Sequence, residues 1–205
     1  IPASVGNIIG NPFSGWNGEL KCLSPYFIYE DNVLFDKDKN VIISFRDKDT
    51  TSYVIPDGVT RIGDGTFWDC SSLSSVVIPD GVTSIGESAF DGCKSLSSVV
   101  IPEGVTSIDN SAFWGCESLT DIVIPDGVTR IEDDTFSFCE SLTDIVIPDS
   151  VTSIGGGAFY HCSALRNVVI SGGVPSIEER AFRHCSSLTS LVIPDSVVGI
   201  MGSVF

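Results

Sequence analysis

Two His-Cys pairs, His161-Cys162 and His184-Cys185, stand one above the other at a spacing of 23 residues and hold both histidines of the chain. Imidazole nitrogen and thiolate sulfur are the ligands of tetrahedral zinc, and two of each would complete a site. A histidine beside serines is also half of a nucleophile and base pair. Carboxylates recur with the same spacing at Asp57, Asp80, Glu103, Asp126, Asp149 and Asp195, interrupted by Gly172. Stacked carboxylates repel one another and would attract Ca²⁺, although the D-x-D-x-D-G arrangement of a calcium loop is missing. Whether any of these groups converge depends on the elements that carry them, and those elements repeat.

The period is 23 without insertion or deletion from Ile55 onward. Position one is Ile55, Ile78, Ile101, Ile124, Ile147, Ile170 and Ile193, followed by proline except at Ser171. Position five is Val, eight is Ile, thirteen is Phe (Phe67 to Phe205), sixteen is Cys (Cys70 to Cys185) and nineteen is Leu (Leu73 to Leu188). A unit this small cannot bury its own apolar face, so each column must pack on the same column of the neighbouring units, which makes the chain a solenoid. Leu73-Ser-Ser-Val76-Val-Ile78 follows the L-x-x-L-x-L pattern of a leucine-rich repeat, a short strand pairing in parallel with the next rung. Pro79 ends it, lacking an N–H for the ladder. Val82 to Ile85 reads as a second extended segment, and Glu87 to Cys93 as a helical or 3₁₀ turn stopped by Gly92.

That frame sets the chemistry aside. Cysteine at position sixteen faces the core and histidine at fifteen faces solvent, so the four zinc ligands diverge. No acid stands in a fixed relation to either histidine. In-register neighbours also orient their Cβ atoms alike, a poor start for a disulfide, and Cys22 leaves the total at seven. The expectation is buried reduced thiols, with no catalytic residue, no metal site and no cofactor: not an enzyme.

Residues 1–205 read as one domain. Ile1, Pro2, Val5, Ile8 and Phe13 match positions one, two, five, eight and thirteen, so 1–16 is a worn first repeat. Before Ile55 there are then 31 residues more than one period allows. Two β-rich runs, Tyr26 to Phe35 and Val41 to Phe45, flank the polar Asp36 to Asn40, so 17–54 is read as a hairpin insertion. Residues 55–205 hold six full repeats and a truncated seventh. Stopping at Phe205 without a polar cap implies that more repeats follow or that another chain covers this end. The fold class is therefore α/β and β-rich, a leucine-rich-repeat solenoid with a parallel sheet on the concave face and short helical or 3₁₀ turns on the convex side.

The formal charge of −16 repels phosphate backbones and anionic lipid headgroups over about a Debye length, which argues against nucleic acid or bare membrane as partners. No apolar run reaches the roughly 20 residues of a membrane span, and no signal-like segment opens the chain.

The repeated I-P-D-G-V-T-S-I-G-x-x-A-F-x-x-C-x-x-L closely resembles the BspA-like leucine-rich-repeat family of bacterial and protozoan surface proteins. The resemblance covers Ile55 to Phe205 in register, and the stretch from Ser24 to Pro56 is similar to the hairpin insertions of that family. It implies a secreted or surface-anchored protein that binds host matrix proteins, host cells or other microbes. It offers no catalytic motif to carry over. Ser171 and the displaced Pro175 depart from the pattern.

Function is then sought in the columns that face out. Position twenty-three is an unbroken valine stripe: Val77, Val100, Val123, Val146, Val169 and Val192. Position twenty-one includes Asp121 and Asp144. An apolar stripe flanked by carboxylates suits a protein partner, while β-branched residues also simply favour strands. Position fourteen carries Trp68, Trp114 and Tyr160, either anchors for a partner or edge packing over the next rung. The reading is a non-catalytic, adhesion-type protein-binding module, extracellular or on a cell surface, whose partner is a host matrix or cell-surface protein. The alternatives are a structural spacer with end-to-end self-association and a targeting domain of a larger surface enzyme.

Overall fold

A computed structural model describes residues 1–16 and 18–205. Each 23-residue repeat makes one rung, most of them with two short strands. The first lies on the sheet face: Ser52–Val54, Ser75–Val77 and Ser98–Val99 pair in parallel, as do Asp144–Ile147, Asn167–Ile170 and Ser190–Val192. Between these two groups the ladder thins to a single bridge, Ser98 to Asp121. The second strand is the two-residue segment at positions seven and eight, paired in parallel rung to rung from Arg61–Ile62 to Ser107–Ile108 and again from Arg130–Ile131 to Gly199–Ile200. Pairing in register places identical residues side by side, so the inward columns close into one core running the length of the solenoid. Phe67, Phe90, Phe113, Phe136, Phe159 and Phe182 stack through it, with adjacent centroids 5.0–5.7 Å apart and ring planes within 16° of parallel. That is offset stacking imposed by the rung spacing. Hydroxyls reinforce the ladders: Thr83 and Thr152 each donate to the carbonyl of the threonine one rung earlier, both at 3.1 Å.

The turn side departs from the expected helix. Among the described residues there is no helix at all; Glu87 to Cys93 and its counterparts are turns in series. In the first full rung Thr66, Trp68, Cys70 and Leu73 each donate to the carbonyl three residues back, at 3.0–3.3 Å. The intervening amides of Gly65, Phe67 and Asp69 donate instead to the next rung, to Glu87, Ala89 and Asp91, each at 2.7 Å. A helix would need these amides for itself, so forward bonding and helix exclude one another. The backbone shows the same choice. Position eleven is left-handed in every rung (Gly65, Ser88, Ser111, Asp134, Gly157, Arg180 and Ser203), and position fifteen likewise from Asp69 to His184. A right-handed helix has no place for such residues.

The insertion is also more than a hairpin. Phe27–Glu30, Val33–Asp36 and Val41–Phe45 form a three-stranded antiparallel meander. The run Tyr26 to Phe35 is broken by Asp31-Asn32, whose φ angles of 47° and 63° are those of a two-residue hairpin turn. The third strand then continues the second-strand sheet, pairing Val41 with Arg61 and Ile42 with Ile62. Phe45 reaches the phenylalanine stack, 5.1 Å from Phe67, and Val33, Phe35 and Ile42 join the core. The meander thus closes the N-terminal end of the core. Phe13 stays half-buried outside that core, while its segment leans on the first full rung through Asn11, which donates to the Gly65 carbonyl at 2.7 Å.

Candidate functional site

The cysteine column is built into the turns. Sγ of Cys93, Cys116, Cys139, Cys162 and Cys185 donates to the phenylalanine carbonyl of the preceding rung, Phe67 to Phe159, at 3.1–3.3 Å. Burial raises all five thiols, with Cys139 and Cys185 pushed up to about 12. They are neutral donors at neutral pH, a role that composition alone does not show. Cys70 has Lys48 Nζ 3.3 Å from its sulfur; burial still raises this thiol, against the partial offset of the lysine charge.

His161 and His184 lie beyond this column, with rings 5.3 Å apart. His161 stacks on Phe138 at 5.1 Å and is half-buried, not solvent-facing as expected, whereas His184 is exposed. Because Cys162 and Cys185 turn inward to Phe136 and Phe159, two imidazoles and two sulfurs do not meet around one point.

The sheet face carries the valine stripe. Val77, Val100, Val123, Val146, Val169 and Val192 are all exposed, and Val54 extends the row by one rung. Exposure ranges from 38% at Val169 to 80% at Val100, so no neighbouring element covers any of them. The pleat gives the reason: Val76 and Ile78 on either side of Val77 are buried, and alternation leaves the residue between them outside. Pairing Val54 with Val77, Val146 with Val169 and Val169 with Val192 fixes the row in register. Where the ladder thins, the face dips into a hollow of about 350 Å³ lined by Asp121, Val123, Asp144, Val146, Asn167 and Val169, together with the backbone between them. Asn167 donates to the Asp144 carboxylate, and this bond holds Asp144 below the usual carboxylate range. The position-three carboxylates are exposed along one margin.

The aromatic candidates lie elsewhere. Trp68 is half-buried at the first rung, its carbonyl accepting from Lys48. Trp114 and Tyr160 are joined through Phe138, at 5.1 and 5.4 Å, and line a separate groove on the turn side. Column-by-column reading missed Phe138, since it belongs to position fifteen while its partners belong to fourteen.

The BspA type leucine rich repeat region family matches this sequence, in six copies spanning residues 43–166 and 110–205. The fold is similar to the T. pallidum leucine rich repeat protein TpLRR, with 34% identity, a TM-score of 0.75 and coverage of 88% of this chain and 86% of that one. It is also similar to a leucine-rich repeat protein from Eubacterium ventriosum, with 26% identity and a TM-score of 0.84 over 96% of this chain. The chain spans 54% of that protein's length. Among curated proteins none matches.

Proposed function

The chain belongs to the BspA-type leucine-rich repeat family, and from that premise we propose that it is an adhesion-type module which captures a protein partner along the valine stripe of its sheet face. Leucine-rich repeat regions serve as protein-interaction or scaffold modules and are typically non-catalytic. The observation that carries the proposal is the unbroken row of exposed valines from Val54 to Val192, with the hollow at Val123 and Val146. Seven rungs about 4.8 Å apart make an apolar strip roughly 29 Å long. A partner of protein size covers a strip of that length, and desolvating aligned apolar side chains is favourable at about 25 cal/mol per Å². The carboxylates beside it repel anionic surfaces and select for partners that are neutral or basic there. We place the module on a cell surface or outside the cell, with host matrix or cell-surface proteins as the partner class.

The test is capture of immobilised extracellular-matrix proteins, presented one at a time, by the chain and by a variant carrying Val123→Asp and Val146→Asp. Binding is expected to fall at least tenfold while circular dichroism and melting temperature are kept, since both side chains point to solvent. Unimpaired capture moves the site off the sheet face, and no capture of any matrix protein removes the adhesion reading.

A further inference from the structure

The turn side holds a second concave feature that the valine stripe does not explain. A groove of about 480 Å³ runs across four rungs between two ridges. One ridge is aromatic: Trp114, Phe138 and Tyr160, steeply inclined to one another, with interplanar angles of 59° and 71°. The other is acidic: Asp133, Asp134 and Glu179. Its floor is open because one rung places Gly156 and Gly157 where the rungs on either side of it have Asp133-Asp134 and Glu179-Arg180.

The charges in this groove do not cancel. Arg180 pairs with Glu179 at 3.1 Å. Among the described residues no cation lies within ion-pair distance of Asp133 or Asp134. Asp133 spends Oδ1 on the Gly156 amide at 2.7 Å. Burial, and behind it the neighbouring Asp133 charge, raises Asp134 against the lowering effect of a bond to Ser137. Two carboxylates held side by side, one of them desolvated, face rings whose π-faces are also negative. A cation satisfies both walls, by charge-assisted hydrogen bonding on one side and by cation–π attraction on the other. A neutral ligand would leave the carboxylate repulsion in place.

No other stretch of the turn side repeats the arrangement. At the first three rungs position fifteen is Asp69, Gly92 and Gly115, so the aromatic ridge is not continuous there. We propose that the groove between Trp114, Phe138 and Tyr160 and the Asp133-Asp134 pair is a binding site for a lysine or arginine side chain of a partner polypeptide, separate from the sheet face.

The glycine floor supplies a clean test. A Cβ at Gly156 would meet nothing closer than the Glu179 carbonyl at 3.5 Å, and its φ is not left-handed, so Gly156→Leu fills the groove without disturbing the rung. Acetylated and amidated hexalysine is titrated calorimetrically into the whole chain at 150 mM salt. The expected result is one saturable site that Gly156→Leu, Trp114→Ala, and the pair Asp133→Asn with Asp134→Asn each weaken tenfold or more. Asp57→Asn with Asp80→Asn removes the same charge from the margin of the sheet face, outside the groove, and should change binding less than twofold. Equal loss in that remote pair would mean diffuse attraction to an acidic protein and overturn the site. Absence of binding to the unmodified chain would overturn it as well. Maltohexaose binding that Gly156→Leu abolishes while hexalysine binding persists would reassign the groove to a saccharide and also end the proposal. None of these readouts touches Val123 or Val146, so failure here leaves the sheet-face reading standing.

Discussion

The two sides of each rung are held together in different ways. On the sheet face the strands are joined by backbone ladders, and the outward side chain at position twenty-three touches little: Val100 is 80% exposed. On the turn side the backbone path is irregular and is tied down by bonds from amides and side chains. Position eleven is left-handed in every rung, the thiol at sixteen donates to a carbonyl of the previous rung, and Thr66 and Thr135 at position twelve fold their hydroxyls back onto the carbonyls of Gly63 and Glu132, each at 2.8 Å. The sheet face can therefore change its surface without changing its structure, and the turn side cannot. This separates a face open to recognition from a side where variable positions such as fourteen and fifteen are framed by the inward phenylalanine at thirteen and cysteine at sixteen.

The largest effect should come from the core that both sides share. Phe113 is fully buried between Phe90 and Phe136, at 5.2 and 5.7 Å. Phe113→Ala removes contacts on both rungs and should cost about 3–5 kcal/mol in urea denaturation. A cost within about 0.5 kcal/mol would show that the stack contributes little to the cohesion of the two sides.

Alkaline pH should act on the turn side through the thiols. A buried thiol whose folded pKa lies above its unfolded value contributes no pH dependence below about 9. As pH rises from there the unfolded chain loses its proton first, so the unfolded state gains and stability falls, until the folded thiol also ionises near about 12 for Cys139 and Cys185. Each such thiol contributes a slope of roughly 1.4 kcal/mol per pH unit inside that window. Tyr53, raised to about 12 by burial and by Glu30 and Asp31, adds to the loss above about pH 10. Replacing Cys139 by alanine should lower stability at pH 7, through the lost hydrogen bond and cavity, and flatten the decline between pH 9 and 11. An unchanged slope would mean that the thiols do not titrate with unfolding.

Much of this organisation was legible in the residues and some was not, for reasons particular to each place. Isoleucine at positions one and eight, phenylalanine at thirteen and leucine at nineteen announced the rungs and the core, because burial tolerates few alternatives. The valine stripe was legible for the same reason in reverse, since alternation placed it outside once its neighbours were known to be inside. The turns were not. Their shared left-handed φ is carried by Gly65, Ser88, Asp134 and Arg180 in turn, so no single residue type marks the position, and Gly92 read as a helix stop. The Asp31-Asn32 turn was hidden inside what looked like one β-rich run. The groove stayed out of sight because Trp114, Phe138 and Tyr160 meet diagonally between columns, and a column read by itself cannot show a diagonal.

Two adjacent glycines bring the contrast down to its smallest scale. Gly157 sits at φ 62°, and a Cβ there would lie 2.5 Å from Oδ1 of Asp134. Gly157→Ala must therefore combine left-handed strain with displacement of a carboxylate, a cost of about 1–3 kcal/mol. Gly156, one residue earlier, has neither restriction, and Gly156→Ala should stay within about 0.5 kcal/mol of the unmodified chain, as other unconstrained surface changes do. On the sheet face Val100→Thr, which keeps the β-branched shape on an exposed strand position, should be equally silent. Urea midpoints of the three variants measure the difference directly. A Gly157→Ala variant as stable as the other two would show that the left-handed position is a preference of the turn and not its requirement, and the distinction between a fixed turn side and a permissive sheet face would then fail where it is easiest to test.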